Sequence, residues 1–211
     1  MPRYTKTALR RHIRELAAID ADMALSLERF GYPELRSREP GFTALLRAIV
    51  GQQVSIAAAA AIWNRLEAAV VPLDPETVCA SSDEVMRGAG LSRQKVSYAR
   101  GLAEALDCGA VRLEKLPRMS DENAIETLVS LKGIGRWTAE IYLLIALGRH
   151  DTFPADDLAL MAAAGHMKRH NERPNRDGVL LIAEAWRPWR GAAAHMLWHY
   201  YHHVIMKKKA A

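Results

Sequence analysis

A Gly-x-Gly turn between two helix-forming segments constrains the fold of this chain more than any other feature. Residues 131–139 read Leu-Lys-Gly-Ile-Gly-Arg-Trp-Thr-Ala. Gly133 and Gly135 permit positive φ and leave backbone N–H groups unshielded at the start of a helix, which we expect from about Gly135 to Leu147. Unshielded N–H groups and the helix dipole together suit an anion. The sequence therefore predicts a helical hairpin that can hold one phosphate of a DNA backbone.

Two adjacent carboxylates, Asp156 and Asp157, follow the hairpin at a distance of one helix. The intervening helix is expected to carry this pair to a fixed place near the hairpin. A phosphate anchor beside an acid indicates chemistry on the sugar of a bound strand. An Asp-Asp pair before a helix is also the ordinary pattern of an N-cap, so the pair alone leaves both interpretations open.

The remainder of the sequence is typical of helices. The 211 residues are 50% hydrophobic, which is enough for a core in one domain or in two small lobes. Apolar residues recur at helical spacing, and neither strand alternation nor an internal repeat is evident. We therefore expect an all-α fold of short helices joined by short loops.

Several helix boundaries can be predicted from capping residues. Ser92 and Ser120 precede helical segments as N-caps, and Asp74-Pro75 has the pattern of a helix start. Gly51-Gln52-Gln53 interrupts two apolar helical segments. We expect Gln52 to form local hydrogen bonds.

Composition excludes some classes of protein. No apolar run approaches the roughly 20 residues of a transmembrane helix, and no signal stretch follows the first residues, so we expect a cytoplasmic protein. Two cysteines are too few for a disulfide framework or a four-thiolate cluster. The net charge of +5 weakly favours binding to polyanions such as DNA.

Two further features are the paired histidines near the C-terminus and the Trp- and Arg-rich segment 186–190, and neither is strong evidence of a function. His166 and His170, like His195 and His199, are spaced for a shared metal, but no His-Glu-x-x-His motif supplies a base. We expect these histidines to border a pocket or DNA. The segment 186–190, Trp-Arg-Pro-Trp-Arg, is interpreted as a packed loop that opens the last helix.

Three ordered blocks give the chain a resemblance to a known family. They are Arg-Ala-Ile-Val-Gly-Gln-Gln-Val-Ser at 47–55, the hairpin through Asp157, and the 186–190 segment. With these blocks the chain resembles the helix-hairpin-helix DNA glycosylase superfamily, and within it the alkylation-repair branch of 3-methyladenine DNA glycosylase II. The resemblance spans about Gly41 to Tyr201.

The resemblance implies an architecture. It is a single glycosylase domain over 1–211 made of two helical lobes, and the central lobe covers roughly 42–150. The hairpin is expected at the cleft, and no β domain is expected. Only about 40 residues precede the first block, so the resemblance implies a compact form of this branch.

The resemblance also implies roles for individual residues. Asp157, the last acid of its loop, matches the catalytic aspartate, and Asp156 is then expected to cap the next helix. Gln53 matches the side chain that enters the DNA helix as a wedge.

The resemblance also implies which residues bind the base and the backbone. The base pocket is matched by Trp137 and Trp198, with Tyr142 one step from a further aromatic position. The phosphate-binding hairpin is matched by Lys132, Gly133, Ile134, Gly135, Arg136 and Thr138. Backbone carbonyls of Val129, Leu131 and Ile134 match a structural site for a monovalent cation, Na⁺ or K⁺.

The residue at position 137 separates two subtypes of the superfamily. Members that also cut the strand carry a lysine there, which forms a Schiff base with the sugar, whereas an indole cannot. Trp137 therefore implies a monofunctional enzyme that needs no cofactor. An electron-rich ring there also suits a cationic base such as 3-methyladenine.

The expected function is excision of alkylated purines, 3-methyladenine or 7-methylguanine, from damaged double-stranded DNA in base excision repair. The enzyme is expected to be a monomer associated with the bacterial nucleoid. Two alternatives stay open: a glycosylase for deaminated or mismatched bases, and a non-catalytic helix-hairpin-helix module that binds DNA.

Overall fold

The computed structural model describes residues 4–207, and within this range the protein is entirely helical, as predicted. The α-helices are α1 (Lys6–Ile19), α2 (Ala21–Phe30), α3 (Phe42–Gly51), α4 (Ile56–Ala69), α5 (Pro75–Ala80), α6 (Asp83–Gly88), α7 (Arg93–Asp107), α8 (Asp121–Val129), α9 (Arg136–Ile145), α10 (Leu158–Met167), α11 (Arg176–Glu184) and α12 (Arg190–Tyr200). A 3₁₀ helix at Leu113–Arg118 was not expected from the sequence. A π-helical segment, Tyr201–Met206, continues α12.

Short polar side chains start most of these helices. The predicted caps are confirmed: Ser92 Oγ accepts from Lys95 N–H at 3.2 Å, and Ser120 Oγ accepts from Asn123 N–H at 3.2 Å. Asp74 caps α5, with Pro75 in the first turn. Each such bond satisfies an N–H group that has no partner inside its helix, which is why the helices begin at these residues.

The chain divides into two compact units. Unit 2 comprises residues 38–142 and contains α3 to α8 and most of α9. Its α7 packs against α3 and α5, and its core is built of large apolar side chains. Those with at most 1% exposure include Leu45, Leu46, Ile49, Leu66, Leu102, Leu116 and Leu128.

Unit 1 combines the residues up to Ser37 with those from Leu143 onward, and contains α1, α2 and α10 to α12. The boundary inside α9 lies earlier than the expected end of the central lobe near 150. A physical reason lies at the start of α12, where Gly191 N–H donates to His150 C=O at 2.8 Å. A Cβ at Gly191 would also lie 2.8 Å from Leu144 Cδ1, so segment 144–150 packs tightly in unit 1. Across the described range, no helix is both long and apolar enough to cross a membrane.

Candidate nucleic-acid interface and catalytic site

The predicted hairpin is present between α8 and α9. Gly133 has φ +89°, and a Cβ there would overlap the ring of Tyr98. Both the backbone conformation and the close approach therefore require glycine at this position. Of the two hairpin glycines, Gly133 adopts positive φ and Gly135 does not, and no neighbouring atom lies within 4 Å of a Cβ built on Gly135.

Some backbone N–H groups of the hairpin form hydrogen bonds within the turn itself. Ile134 N–H donates to Leu131 C=O at 3.0 Å, and the first helical bond of α9 runs from Ala139 N–H to Gly135 C=O. That bond places the N-terminal end of α9 next to the hairpin, and the N-terminal end of a helix is the end that suits an anion. Of the other hairpin residues, Lys132 is exposed and Thr138 is only 4% exposed.

The side chain of Arg136 is engaged by two carboxylates. Its two terminal nitrogens lie 2.8 and 2.9 Å from the Glu122 carboxylate, and its Nε lies 3.0 Å from Glu140 Oε1. The hydrogen bonds that Arg136 donates to Glu122 are the largest cause of its raised pKa. Arg136 therefore links the starts of α8 and α9, and the sequence had indicated neither acid as its partner.

The backbone carbonyls implied for a cation suit that role chemically. Neutral carbonyl oxygens are ligands for hard cations. Leu131 C=O already accepts from Ile134 N–H but keeps a second lone pair. Main-chain oxygens would hold the ion, so no side chain needs to act as a ligand. These oxygens belong to Val129, Leu131 and Ile134.

The loop between α3 and α4 carries the two glutamines. The expectation of local bonding for Gln52 is wrong: its Nε2 donates to Gly133 C=O at 2.8 Å, 81 residues away in the chain. Gln53 is exposed and has φ +54°, an unusual conformation for a residue with a side chain. The hydrogen bond of Gln52 thus joins this loop to the hairpin, and the neighbouring Gln53 stays exposed.

Two of the predicted base-pocket aromatics lie on α9, and their exposures differ. Trp137 is 39% exposed in the first turn. Tyr142 is 4% exposed, and its hydroxyl accepts from Gly41 N–H at 2.9 Å, just before α3 begins. Burial raises the pKa of Tyr142. Tyr142 therefore holds the start of α3, whereas Trp137 is partly exposed at the start of α9.

Asp157 is the N-cap of α10. Its Oδ1 accepts from Ala159 N–H at 2.9 Å and from Leu160 N–H at 3.0 Å. The indole Nε1 of Trp198 approaches the same oxygen at 3.3 Å. These donors hold the half-buried carboxylate in one orientation at the positive end of a helix.

The expectation that Asp156 caps the next helix is wrong. Asp157 takes that position because its extended backbone, with φ −75° and ψ 115°, aims the side chain back at the first turn. Asp156 Oδ2 instead accepts from Arg176 Nε at 3.3 Å. Capping and the predicted catalytic role therefore fall on the same residue.

Trp198 lies beneath an arginine that sequence reasoning missed. The indole is 4% exposed, and Cζ of Arg36 lies 4.6 Å from its ring centroid. Burial lowers the pKa of Arg36, and the charge of Asp157 opposes that change. Arg36 stands in a polar loop far from the motifs, so no local signal marked it.

The histidines near the C-terminus form separate contacts. His195 is 2% exposed and bonds to Gly191 C=O at 2.8 Å. His166 Nδ1 lies 2.8 Å from the Tyr200 hydroxyl, and His199 Nε2 lies 2.9 Å from Phe30 C=O. Among the described residues, no group of three or more potential ligands is arranged to hold a metal.

The 186–190 segment packs into unit 1. Trp186 has no exposed surface, and its Nε1 donates to Asp20 Oδ2 at 2.7 Å. Arg190 binds the carboxylate of Asp151 through two nitrogens, at 3.0 and 2.9 Å. These contacts agree with a packed loop at the start of α12.

The fold and these residues define an all-helical protein with a helix-hairpin-helix motif and a capping carboxylate after its second helix. Residues 46–188 match the HhH-GPD superfamily of base excision DNA repair proteins. The match covers more than half of the chain, and the chain therefore belongs to this family.

Individual relatives agree with the family. The chain is 37% identical over 169 residues to DNA-3-methyladenine glycosylase 1 of Schizosaccharomyces pombe, covering 78% of this chain and 73% of that one. It is 27% identical over 203 residues to a DNA-3-methyladenine glycosylase of Bacillus subtilis, covering 87% of this chain but only 65% of the relative.

A solved structure has the same fold. The 3-methyladenine DNA glycosylase of Schizosaccharomyces pombe, in complex with abasic DNA, superposes with a TM-score of 0.82 at 34% sequence identity. The superposition covers 89% of this chain and 95% of the yeast chain.

Proposed function

We propose that this protein is a monofunctional DNA glycosylase that releases alkylated purines, such as 3-methyladenine and 7-methylguanine, from duplex DNA. It hydrolyses the N-glycosidic bond and leaves an abasic site. The observation that carries the proposal is the carboxylate of Asp157, which two backbone amides and the Trp198 indole orient in a chain of this repair family.

Asp157 acts on the sugar. Breaking the N-glycosidic bond builds positive charge on the deoxyribose, and a carboxylate held in advance stabilises that charge without reorganising. The same carboxylate orients the attacking water. An alkylated purine is cationic and already a good leaving group, so the base needs little help from an acid.

The remaining residues bind the substrate. Amides at the start of α9 hold a backbone phosphate together with Lys132, while Gln53 fills the gap left by the extruded base. We assign Trp137, Trp198 and Tyr142 to binding of the base, because tryptophan rings attract a cation. Position 137 offers no amine for a Schiff base, so strand cleavage is not part of the reaction. In this proposal the protein is a monomer and residues 1–211 are a single glycosylase domain.

The test is base release from methylated duplex DNA, with freed bases separated by chromatography, for the wild type and Asp157→Asn. We expect the wild type to release 3-methyladenine or 7-methylguanine, and the variant to be about 10²–10³-fold slower. Equal rates would refute the role of Asp157. DNA binding without release from any of the methylated or deaminated bases would identify a non-catalytic DNA-binding module instead.

A further inference from the structure

A lysine of α7 bonds to the end of the helix that leads into the proposed wedge loop. Lys95 Nζ donates to Val50 C=O at 2.8 Å. Val50 stands one residue before the end of α3, so its carbonyl is among the last four of the helix, which have no partner within it. Val50 itself has no exposed surface. The lysine therefore supplies a bond that the helix does not offer to this buried carbonyl.

This bond joins a positive charge to the negative end of a helix. The last carbonyls of α3 form the negative end of its dipole, so the ammonium group of Lys95 adds charge attraction to the hydrogen bond. Lys95 is half-buried, and this burial lowers its pKa. The ammonium group is thus directed at the protein, at the point where the chain leaves α3.

The same helix also contacts the hairpin. Tyr98, one turn after Lys95, packs so closely on Gly133 that a Cβ there would overlap its side chain. Gly133 C=O in turn accepts from Gln52 Nε2 at 2.8 Å. α7 therefore supports both the end of α3 and the hairpin to which the α3–α4 loop is bonded, and all of these residues belong to unit 2.

Gln53 has a backbone conformation that needs such support. Its φ of +54° is rare for a residue with a side chain, and such conformations persist only where the surrounding structure holds them. The side chain of Gln53 is exposed, so its own burial does not supply that support. The bonds at Val50 and Gln52, directly before it in the chain, restrict the backbone that leads into Gln53.

We propose that Lys95 is a positioning residue for the action on duplex DNA. By holding the end of α3, it keeps Gln53 in the place from which that side chain fills the gap left by an extruded base. This inference rests on the proposed function, in which Gln53 is the wedge. Lys95 acts only through Gln53, so loss of its bond matters for paired DNA, where a gap is filled, and little for single strands.

The test measures single-turnover base release, at saturating enzyme, from methylated duplex and single-stranded DNA of one sequence. The readout is the ratio of the duplex rate to the single-strand rate. We expect Lys95→Met, which keeps the length but loses the donor, to lower this ratio about five- to tenfold, as loss of one charged hydrogen bond permits. Lys95→Gln, with a shorter polar side chain, should behave in the same way. Lys95→Arg keeps a donor and should keep most of the ratio.

A double variant tests whether Lys95 acts through Gln53. Lys95→Met combined with Gln53→Ala should have the same ratio as Gln53→Ala alone, because a wedge that has been removed cannot be misplaced. Additive effects of the two substitutions would show that Lys95 acts on something other than the wedge, and would overturn the inference.

A matched control is available within unit 2. Arg65 Nε donates to the carbonyl of Ala89, the C-cap of α6, at 2.9 Å, so Arg65→Met removes a similar bond from a cation to the end of another helix. This control should leave the ratio unchanged. Denaturant unfolding gives the folded fraction of each variant, and rates are compared at equal concentrations of folded protein.

Failure of this inference is distinguishable from failure of the proposed function. An unchanged ratio in folded Lys95→Met, together with a lowered ratio in Gln53→Ala, would overturn the inference and leave the glycosylase assignment standing. A wild type that releases no base from either DNA would refute the proposed function itself, and this inference with it.

Discussion

Asp157 combines helix capping with the proposed chemistry in one side chain. Its Oδ1 accepts from two amides at the start of α10 and from Trp198 Nε1. Because removal of the side chain would disturb the helix as well as the reaction, the choice of substitution decides what an experiment reports.

Two substitutions at Asp157 should separate capping from chemistry. Asparagine caps helices as well as aspartate, so Asp157→Asn should keep its melting temperature and lose base release. Asp157→Ala should lose base release and also about 1 kcal/mol of unfolding free energy. Denaturant unfolding and base release are measured on both variants. Equal stability of the alanine and asparagine variants would show that the cap contributes nothing.

Gly133 is the hairpin position where a side chain is excluded on two grounds. The residue has φ +89°, and a Cβ would overlap Tyr98. We expect Gly133→Ala to lower the unfolding free energy by about 2–4 kcal/mol, from backbone strain and overpacking together. The matched control is Gly135→Ala, where no atom lies within 4 Å of the new Cβ. Comparable losses in both variants by denaturant unfolding would contradict this account.

At the scale of elements, one hydrogen bond joins the α3–α4 loop to the hairpin. Gln52 Nε2 donates to Gly133 C=O at 2.8 Å, and both segments lie in unit 2. The loop that carries the proposed wedge is therefore held by the element that carries the proposed phosphate site. This bond sets the place of the neighbouring Gln53 without engaging its side chain.

The two glutamines should behave differently when truncated. Gln53→Ala should change the unfolding free energy by less than about 0.5 kcal/mol, because the side chain is exposed. It should slow base release from duplex DNA more than from single strands, where no gap needs filling. Gln52→Ala should cost about 1 kcal/mol through loss of its hydrogen bond. A Gln53→Ala enzyme equally slow on both substrates would rule out the wedge.

Helix boundaries were well predicted from the sequence. Which of two neighbouring residues caps a helix, and which distant side chain a residue binds, was predicted less well. The caps at Ser92 and Ser120 bond to amides three residues along the chain, so a short sequence pattern contains the whole interaction. The choice between Asp156 and Asp157 depended on backbone torsions that two identical residues cannot reveal. Arg136 had its partner Glu122 14 residues away, beyond any local pattern.

At the scale of the whole molecule, unit 1 is assembled from both ends of the chain around a group of buried rings. His12 has no exposed surface and stacks on Trp189, with ring centroids 3.7 Å apart. Arg11 can only donate to His12 Nε2, so the proton of the neutral ring lies on Nδ1 and points to Tyr4 Oη. Burial lowers the pKa of His12 to about 4, and it also lowers the pKa of His150 and His195.

These histidines predict a loss of stability in mild acid. Unfolded histidine protonates near pH 6.5, whereas folded His12 stays neutral down to about pH 4. Between these values the unfolded chain binds more protons, so the unfolding free energy falls as pH falls. One such histidine contributes a slope of up to about 1.4 kcal/mol per pH unit. Stability from this source is complete above pH 6.5.

Urea unfolding at a series of pH values between 4 and 8 measures this dependence. His12→Phe keeps an aromatic ring next to Trp189 and removes the titrating group, so the slope between pH 4 and 6.5 should decrease. The curve above pH 7 serves as the internal reference. An unchanged slope in His12→Phe would mean that the pKa of His12 is the same in the folded and the unfolded protein.

The sequence by itself determined the helical class, most helix starts and the hairpin. Helical class and caps rest on apolar periodicity and on hydrogen bonds that span a few residues. Gly133 and the acid after the next helix are recognisable because their order and spacing along the chain carry the signal.

Only the tertiary structure decided which distant groups meet. It placed Arg36 on Trp198, bound Gln52 to Gly133, and brought His12 and His150 together from distant parts of the sequence. Such pairs form because packing of the helices brings their backbones together, and burial then changes the pKa and exposure of each side chain. An isolated segment does not show which distant side chains will meet. These contacts form only when the apolar faces of several helices pack into one core.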